Sequence, residues 1–170
     1  KKTNYDDHTE QDIRYFLCQS LARLRDKRFL SEVQSIKGAE HNFLMGFYYR
    51  LQGRYADALE RFELSKEEKR TRERSLREIV MTLSIVERYE EALTQAKMNY
   101  ERYPSNPFII QSFFECLIHQ QKSDSNRAIL EGLIKALDSI SGDKAAEINA
   151  SLKANLTATY DEDFVKANQI

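Results

Sequence analysis

Tryptophan is missing from this sequence, and its 170 residues include only 2 prolines, 5 glycines and 2 cysteines. So few turn and breaker residues, beside 41% apolar and 31% charged residues, fit an all-helical protein with salt-rich exposed faces. Cys18 and Cys116 stand alone in the sequence, which excludes a disulfide-dense scaffold. They fit reduced, packed thiols in a cytoplasmic protein better than one long-range disulfide. No stretch approaches the roughly 18–20 apolar residues of a membrane span, and no signal-peptide pattern occurs. A net charge of −1 provides no long-range attraction to nucleic acid or to an anionic membrane. Neither is expected as a partner.

Motifs that carry chemistry are equally scarce. There is no His-Glu-x-x-His, no phosphate-binding glycine loop and no Gly-x-Ser-x-Gly elbow. Cys116 and His119 stand three apart, but no second Cys/His pair lies near to complete a four-ligand zinc site. His8 and His41 are isolated. Glu67-Glu68 and Glu90-Glu91 interleave with Lys and Arg, the mark of a solvated helix face rather than a desolvated catalytic pair. The densest basic run, Lys66 to Arg77, is broken by Glu67, Glu68 and Glu73, so it makes a poor phosphate-tracking stripe. The chain is read as non-catalytic, with no catalytic residue, metal or cofactor expected.

What is present is an internal repeat. Gly53-Arg54-Tyr55-Ala56-Asp57-Ala58-Leu59 is echoed by Glu87-Arg88-Tyr89-Glu90-Glu91-Ala92-Leu93. Arg, Tyr, Ala and Leu return after 34 residues. A fixed period of this size marks helical hairpins placed one after another. Counted from Ala39, Gly46 is eighth, Tyr49 eleventh, Tyr55 seventeenth, Ala58 twentieth and Phe62 twenty-fourth. Counted from Glu73, Leu83, Tyr89 and Ala92 recur and Pro104 closes the repeat at the thirty-second position. This pattern resembles the tetratricopeptide repeat (TPR). It departs from that family at Val80, at Ala96 and in lacking its frequent Trp. The resemblance implies an all-α, right-handed α-solenoid of antiparallel hairpins with about nine helices, spanning 1–170 as a single helical-repeat domain. Clear repeats fall at 39–72 and 73–106, degenerate ones at 9–38 and 107–140, and a capping helix at 143–160.

Elsewhere the expectations rest on local signals. Thr9 with Asp12 reads as a helix start near Asp6 and Asp7, followed by an apolar face of Ile13, Phe16, Leu17, Leu21 and Leu24. Asp26-Lys27-Arg28 reads as a turn. Phe29, Leu30, Val33 and Ile36 make a shorter helix, and Gly38 can supply a left-handed cap. Asn106 is a natural N-cap with Pro107 behind it, before Ile110, Phe113, Phe114, Leu117 and Ile118. After the Ser123–Asn126 turn, Ala128 stands in for the contact alanine of the repeat, ahead of Leu130, Leu133, Ile134 and Leu137. Ser141-Gly142-Asp143 is a stop and restart, followed by Ile148, Leu152 and Leu156. Asp161-Glu162-Asp163 opens a last turn or tail.

The TPR resemblance turns the first helix of each hairpin towards a concave groove. It thereby assigns Phe43, Phe47 and Arg50, then Arg74, Arg77 and Met81, then Phe108 and Gln111, to partner binding. The family's two-carboxylate clamp is not matched, since Phe43, Phe47, Glu78, Phe108 and Ser112 occupy its positions. The implied function is a protein-interaction scaffold for a peptide or helix with apolar anchors and an acidic flank. A second reading makes the chain a sensor or structural arm of a larger multidomain, bacterial-type regulator or ATPase, packed on its own other domains. Its motives are a Lys in first position and the lack of a functional motif. Oligomeric state is left open.

Overall fold

The computed structural model describes residues 5–160, with side chains from Glu10 onward. Among these residues the protein is all-α, with nine α-helices, one short 3-10 turn and no strand. The helices are α1 (Tyr5–Arg23), α2 (Phe29–Glu32), α3 (Gly38–Leu51), α4 (Tyr55–Ser65), α5 (Lys69–Ile85), α6 (Tyr89–Arg102), α7 (Pro107–Ile118), α8 (Asp124–Asp138) and α9 (Asp143–Tyr160). The 3-10 turn, Val33–Ser35, directly follows α2. Helices pack against neighbours in sequence order. The chain divides into two compact units, Lys1–Thr82 and Leu83–Ile170, with the division inside α5.

The 34-residue period is a repeat of backbone geometry as well as of letters. Gly53 (φ 76°) ends α3 in the left-handed region, and Glu87 (φ 62°) does the same after α5. In the first turn the Gly53 N–H donates to Arg50 C=O, and the Arg54 N–H reaches back to Tyr49 C=O. In the second, Glu87 N–H donates to Ser84 C=O and Arg88 N–H to Leu83 C=O. These paired bonds satisfy carbonyls that a helix end would otherwise orphan. Arg54 then pairs with Asp57, and Arg88 with Glu91, each at 2.7 Å from Nε. Arg25 (φ 54°) builds the same turn after α1, with Asp26 N–H bonded to Leu21 C=O and Asp26 Oδ1 accepting from the Arg28 N–H. Gly38 is also left-handed (φ 65°), and there it opens α3.

In unit 1, α3 lies against α4 and α1. The α3–α4 approach depends on Gly46. A Cβ there would lie 2.8 Å from two Phe62 ring carbons and 3.2 Å from the Ala58 carbonyl oxygen. Ala58 and Phe62 are themselves fully buried. Phe29, Val33, Ala39 and Leu44 extend this core, and the Phe29 ring stacks on Tyr48 at 4.5 Å.

In unit 2, α7 meets α6, α8 and α9. Asn106 caps α7 as expected, its Oδ1 accepting from the N–H groups of Phe108 (2.9 Å) and Ile109 (3.2 Å). Ser123 caps α8 through the Asn126 N–H. Ile109, Ile110, Phe114, Leu130, Leu133 and Leu137 are buried. Ile148, Leu152 and Leu156 of α9 are buried with them, as their spacing predicts.

Three local expectations are corrected. α1 begins at Tyr5, ahead of Thr9. Its buried residues are Tyr15, Cys18, Leu21 and Ala22, while Ile13, Phe16 and Leu17, and Leu24 just past its end, are exposed. Tyr15 of this buried set stacks on Phe43 of α3. Ala128 is exposed and Leu130 is the buried residue, so α8 is packed by a large side chain and not by a contact alanine. The expectation for Asp161-Glu162-Asp163 lies outside the described residues.

Candidate functional site

The residues expected to face a partner fall in both units. In unit 1 they gather where α1, α3 and α5 bring side chains together. Phe43 and Phe47 are 3% and 6% exposed. The Phe43 ring stacks with Tyr15 of α1 at 6.4 Å and with Phe47 at 6.5 Å, and it tilts against Phe62 at 5.8 Å. Phe47 lies beneath two guanidinium groups, Arg50 at 5.3 Å and Arg23 at 5.7 Å from its ring centre. Both rings therefore belong to the core of unit 1 and are not open anchors. The physical reason is α1, whose Tyr15 covers the surface that the repeat register would leave open.

Above this aromatic floor lies a polar layer. Arg70 of α5 reaches both Asp12 of α1 and Glu40 of α3, the latter at 2.7 Å. Arg74 donates to the Tyr15 hydroxyl oxygen at 3.2 Å, and its guanidinium lies 5.8 Å from the Tyr15 ring centre. Burial raises the Tyr15 pKa above its ordinary value, and the bond from Arg74 works against that rise. The phenol therefore stays protonated at neutral pH, free to donate its own hydrogen.

Deeper in the face, Arg50 Nε and Glu78 Oε2 stand 2.8 Å apart, with side chains only 14% and 11% exposed. The pair lacks hydrogen-bond alignment at these two atoms, so attraction between full charges holds it rather than a directed bond. Each charge is costly without the other. Arg77 and Met81 are half-buried on the same helix, and Arg74 is exposed.

The basic run that opens α5 is thus largely engaged within the chain. Arg72 donates to the carbonyls of Lys66 and Glu67 at the end of α4, while Lys66 pairs with Glu63. Thr71, Ser65 and Ser75 form a buried hydroxyl cluster that fixes the α4–α5 connection. Sequence reasoning missed Tyr15 and Asp12 as members of this face. Their partners lie 59 and 58 residues away, beyond any local pattern.

Phe108 and Gln111 belong to unit 2. Phe108 is half-buried in the first turn of α7, and its carbonyl accepts from Ser112 Oγ at 3.0 Å. Gln111 donates to Glu115 one turn along at 2.8 Å. Both cysteines are free thiols, Cys18 buried and Cys116 half-buried. Burial pushes both thiols up, which leaves them poor nucleophiles. Among the described residues no three His, Cys, Asp or Glu side chains are grouped to hold a metal ion. No described helix is long and apolar enough to cross a membrane. Comparison of the chain with protein-family models, with curated proteins and with solved structures returned no match.

Proposed function

We propose that the chain is a non-catalytic, TPR-like protein-interaction scaffold of the cytoplasm, and that its partner lies along the α1–α3–α5 face of unit 1. One observation carries this reading. Arg70, Arg74 and Arg77 follow one another along α5 with Met81 beyond them, and Arg74 lies against Tyr15, whose ring stacks on Phe43 beside Phe47. A rigid floor with a cationic rim suits an extended segment or helix that brings carboxylates to Arg74 and Arg77 and an apolar side chain to Met81. Phe43 and Phe47 shape this surface from below without touching the partner. Phe108 and Gln111 are proposed as partner contacts of unit 2 by itself.

Affinity capture with the purified chain, followed by titration of the captured protein, tests the reading. Arg74→Glu and Arg77→Glu should leave helicity and melting nearly unchanged and weaken binding roughly tenfold or more. That loss should shrink as salt screens the charges. Unaltered affinity in both variants would move the interface off this face. Phe47→Ala is the contrasting variant, expected to unfold unit 1 rather than to weaken binding alone.

A further inference from the structure

The rings of the α1–α3–α5 face form a row with an exposed guanidinium held over each end. Tyr15 stacks with Phe43 at 6.4 Å and Phe43 with Phe47 at 6.5 Å, so the ends of the row stand no more than about 13 Å apart. Arg74 of α5 lies 5.8 Å from the Tyr15 ring centre, and Arg23, the last residue of α1, lies 5.7 Å from that of Phe47. Two further cations of this face are answered by carboxylates, Arg70 by Asp12 and Glu40, and Arg50 by Glu78. Arg23 and Arg74 are not. Among the described residues neither has a carboxylate within ion-pair distance, and the Arg23 side chain donates to no acceptor. Other exposed arginines, such as Arg28, Arg54 and Arg88, hold a carboxylate two or three residues away. A guanidinium held over a ring gives up freedom to that contact while its N–H donors stay available. Less ordering then remains to be done when a carboxylate arrives to accept two parallel bonds.

On the basis that the partner lies along this face, we propose that Arg23 is a second anion anchor, and that the partner is gripped through two carboxylates, one at Arg74 and one at Arg23. The occupant this selects is a peptide segment whose two acidic side chains are set apart. An extended segment rises about 3.3 Å per residue, so acidic residues four positions apart match the length of the ring row. Adjacent carboxylates reach one arginine and leave the other empty. Arg50 also lies over Phe47, at 5.3 Å, but Glu78 holds it and it stays out of the contact. Two carboxylates on one backbone make the second contact intramolecular, so the spaced pair binds more tightly than either acid alone. Attraction between net charges would give no such dependence on spacing.

Nuclear magnetic resonance of the isotopically labelled full chain, observing the arginine Nε–H groups, tests this with two blocked pentapeptides of equal charge. One is Glu-Ala-Ala-Ala-Glu and the other Glu-Glu-Ala-Ala-Ala. The spaced peptide should move the Arg23 and Arg74 signals together and bind about fivefold or more tightly than the adjacent one. Arg102, which lies over the Tyr103 ring in unit 2, should not respond. Arg23→Gln should abolish the preference, with the melting temperature unchanged and the adjacent peptide still bound at Arg74. Arg23→Lys should lose most of it, because an ammonium cannot form the paired bonds. An Arg23 signal that stays in place while Arg74 responds overturns the second anchor and leaves the partner face standing. If neither signal moves, the anchor and the acidic-partner reading of the face both fall. Equal affinity for the two peptides overturns the two-point grip. The signals and the spacing preference of the unaltered chain decide the question even if Arg23→Gln lowers the melting temperature.

Discussion

Unit 1 and unit 2 are both helical, yet they are held by different kinds of side chain. In unit 1, polar links join elements far apart in sequence: Arg70 to Asp12, Arg74 to Tyr15, and Arg50 to Glu78. In unit 2 most side-chain links are local or join adjacent helices, the weak Ser84–Cys116 contact between α5 and α7 apart. Examples are Gln111 to Glu115 within α7, and Lys153 and Asn149 of α9 to Asp138 at the end of α8. The unit 2 core is dominated by aliphatic residues such as Ile109, Leu130 and Leu152, whereas the unit 1 core stacks aromatic rings under guanidinium groups. Aliphatic helices pack adequately over a range of small adjustments. Loss of one partner from a buried ion pair is expected to cost more than a comparable change at an exposed pair.

This contrast should show most strongly in the charged pairs. Arg50→Met leaves the Glu78 carboxylate buried and unpaired, and should cost about 3–5 kcal/mol by thermal or urea unfolding. Lys144→Met, which breaks the exposed Lys144–Glu147 pair of α9, should stay within about 0.5 kcal/mol. Equal losses would show that the two units do not differ in this respect.

The two helix-interior glycines sharpen it next. Gly46→Val drives side-chain atoms into the Phe62 ring and should destabilise by about 1–3 kcal/mol. A Cβ at Gly132 of α8 meets nothing within 4 Å, so Gly132→Ala should stabilise by about 0.5–1 kcal/mol. A melting midpoint that falls in both would mean that α8 is more closely packed than its surroundings indicate.

A smaller effect is expected at the two matching turns. Gly53→Ala forces a Cβ into the left-handed region and should cost about 1 kcal/mol, whereas Glu87→Gly relieves the same strain and should gain several tenths. Opposite signs at equivalent positions would confirm that the turns share one geometry.

The smallest effect concerns acid. Lys153, aided by Asn149, lowers the pKa of Asp138, while Arg28 does the same for Asp26 and Arg88 for Glu91. A lowered folded-state pKa contributes stability that is present above the unfolded carboxylate value and is lost as pH falls through the folded one. Melting temperature should therefore decline below about pH 4. Asp138→Asn should flatten the unit 2 part of that decline slightly, because this carboxylate is solvent-exposed and its pair is screened.

Much of this protein is written in short stretches of sequence. The 34-residue period, the Gly53 turn, the Asn106 cap and the Ile148-Leu152-Leu156 stripe each depend on residues within a few positions of one another. Hydrogen bonds of turns and caps, and the helical period of burial, act over that range, so the sequence alone determined them. It also placed Gly46 correctly, because close approach of two helices joined by a short turn is itself a local matter. Tertiary structure decided the rest. Which side of α1 is buried, and therefore whether Phe43 and Phe47 are covered, depends on which side chains of α3 and α5 meet it. Both sides of α1 carry apolar residues, so helical periodicity alone could not choose between them. The choice fell to Tyr15, which stacks on Phe43 of α3, and to Asp12 and Tyr15, which find their partners in α5. No spacing rule reaches across such a distance, because complementarity of shape and charge exists only once the helices are side by side.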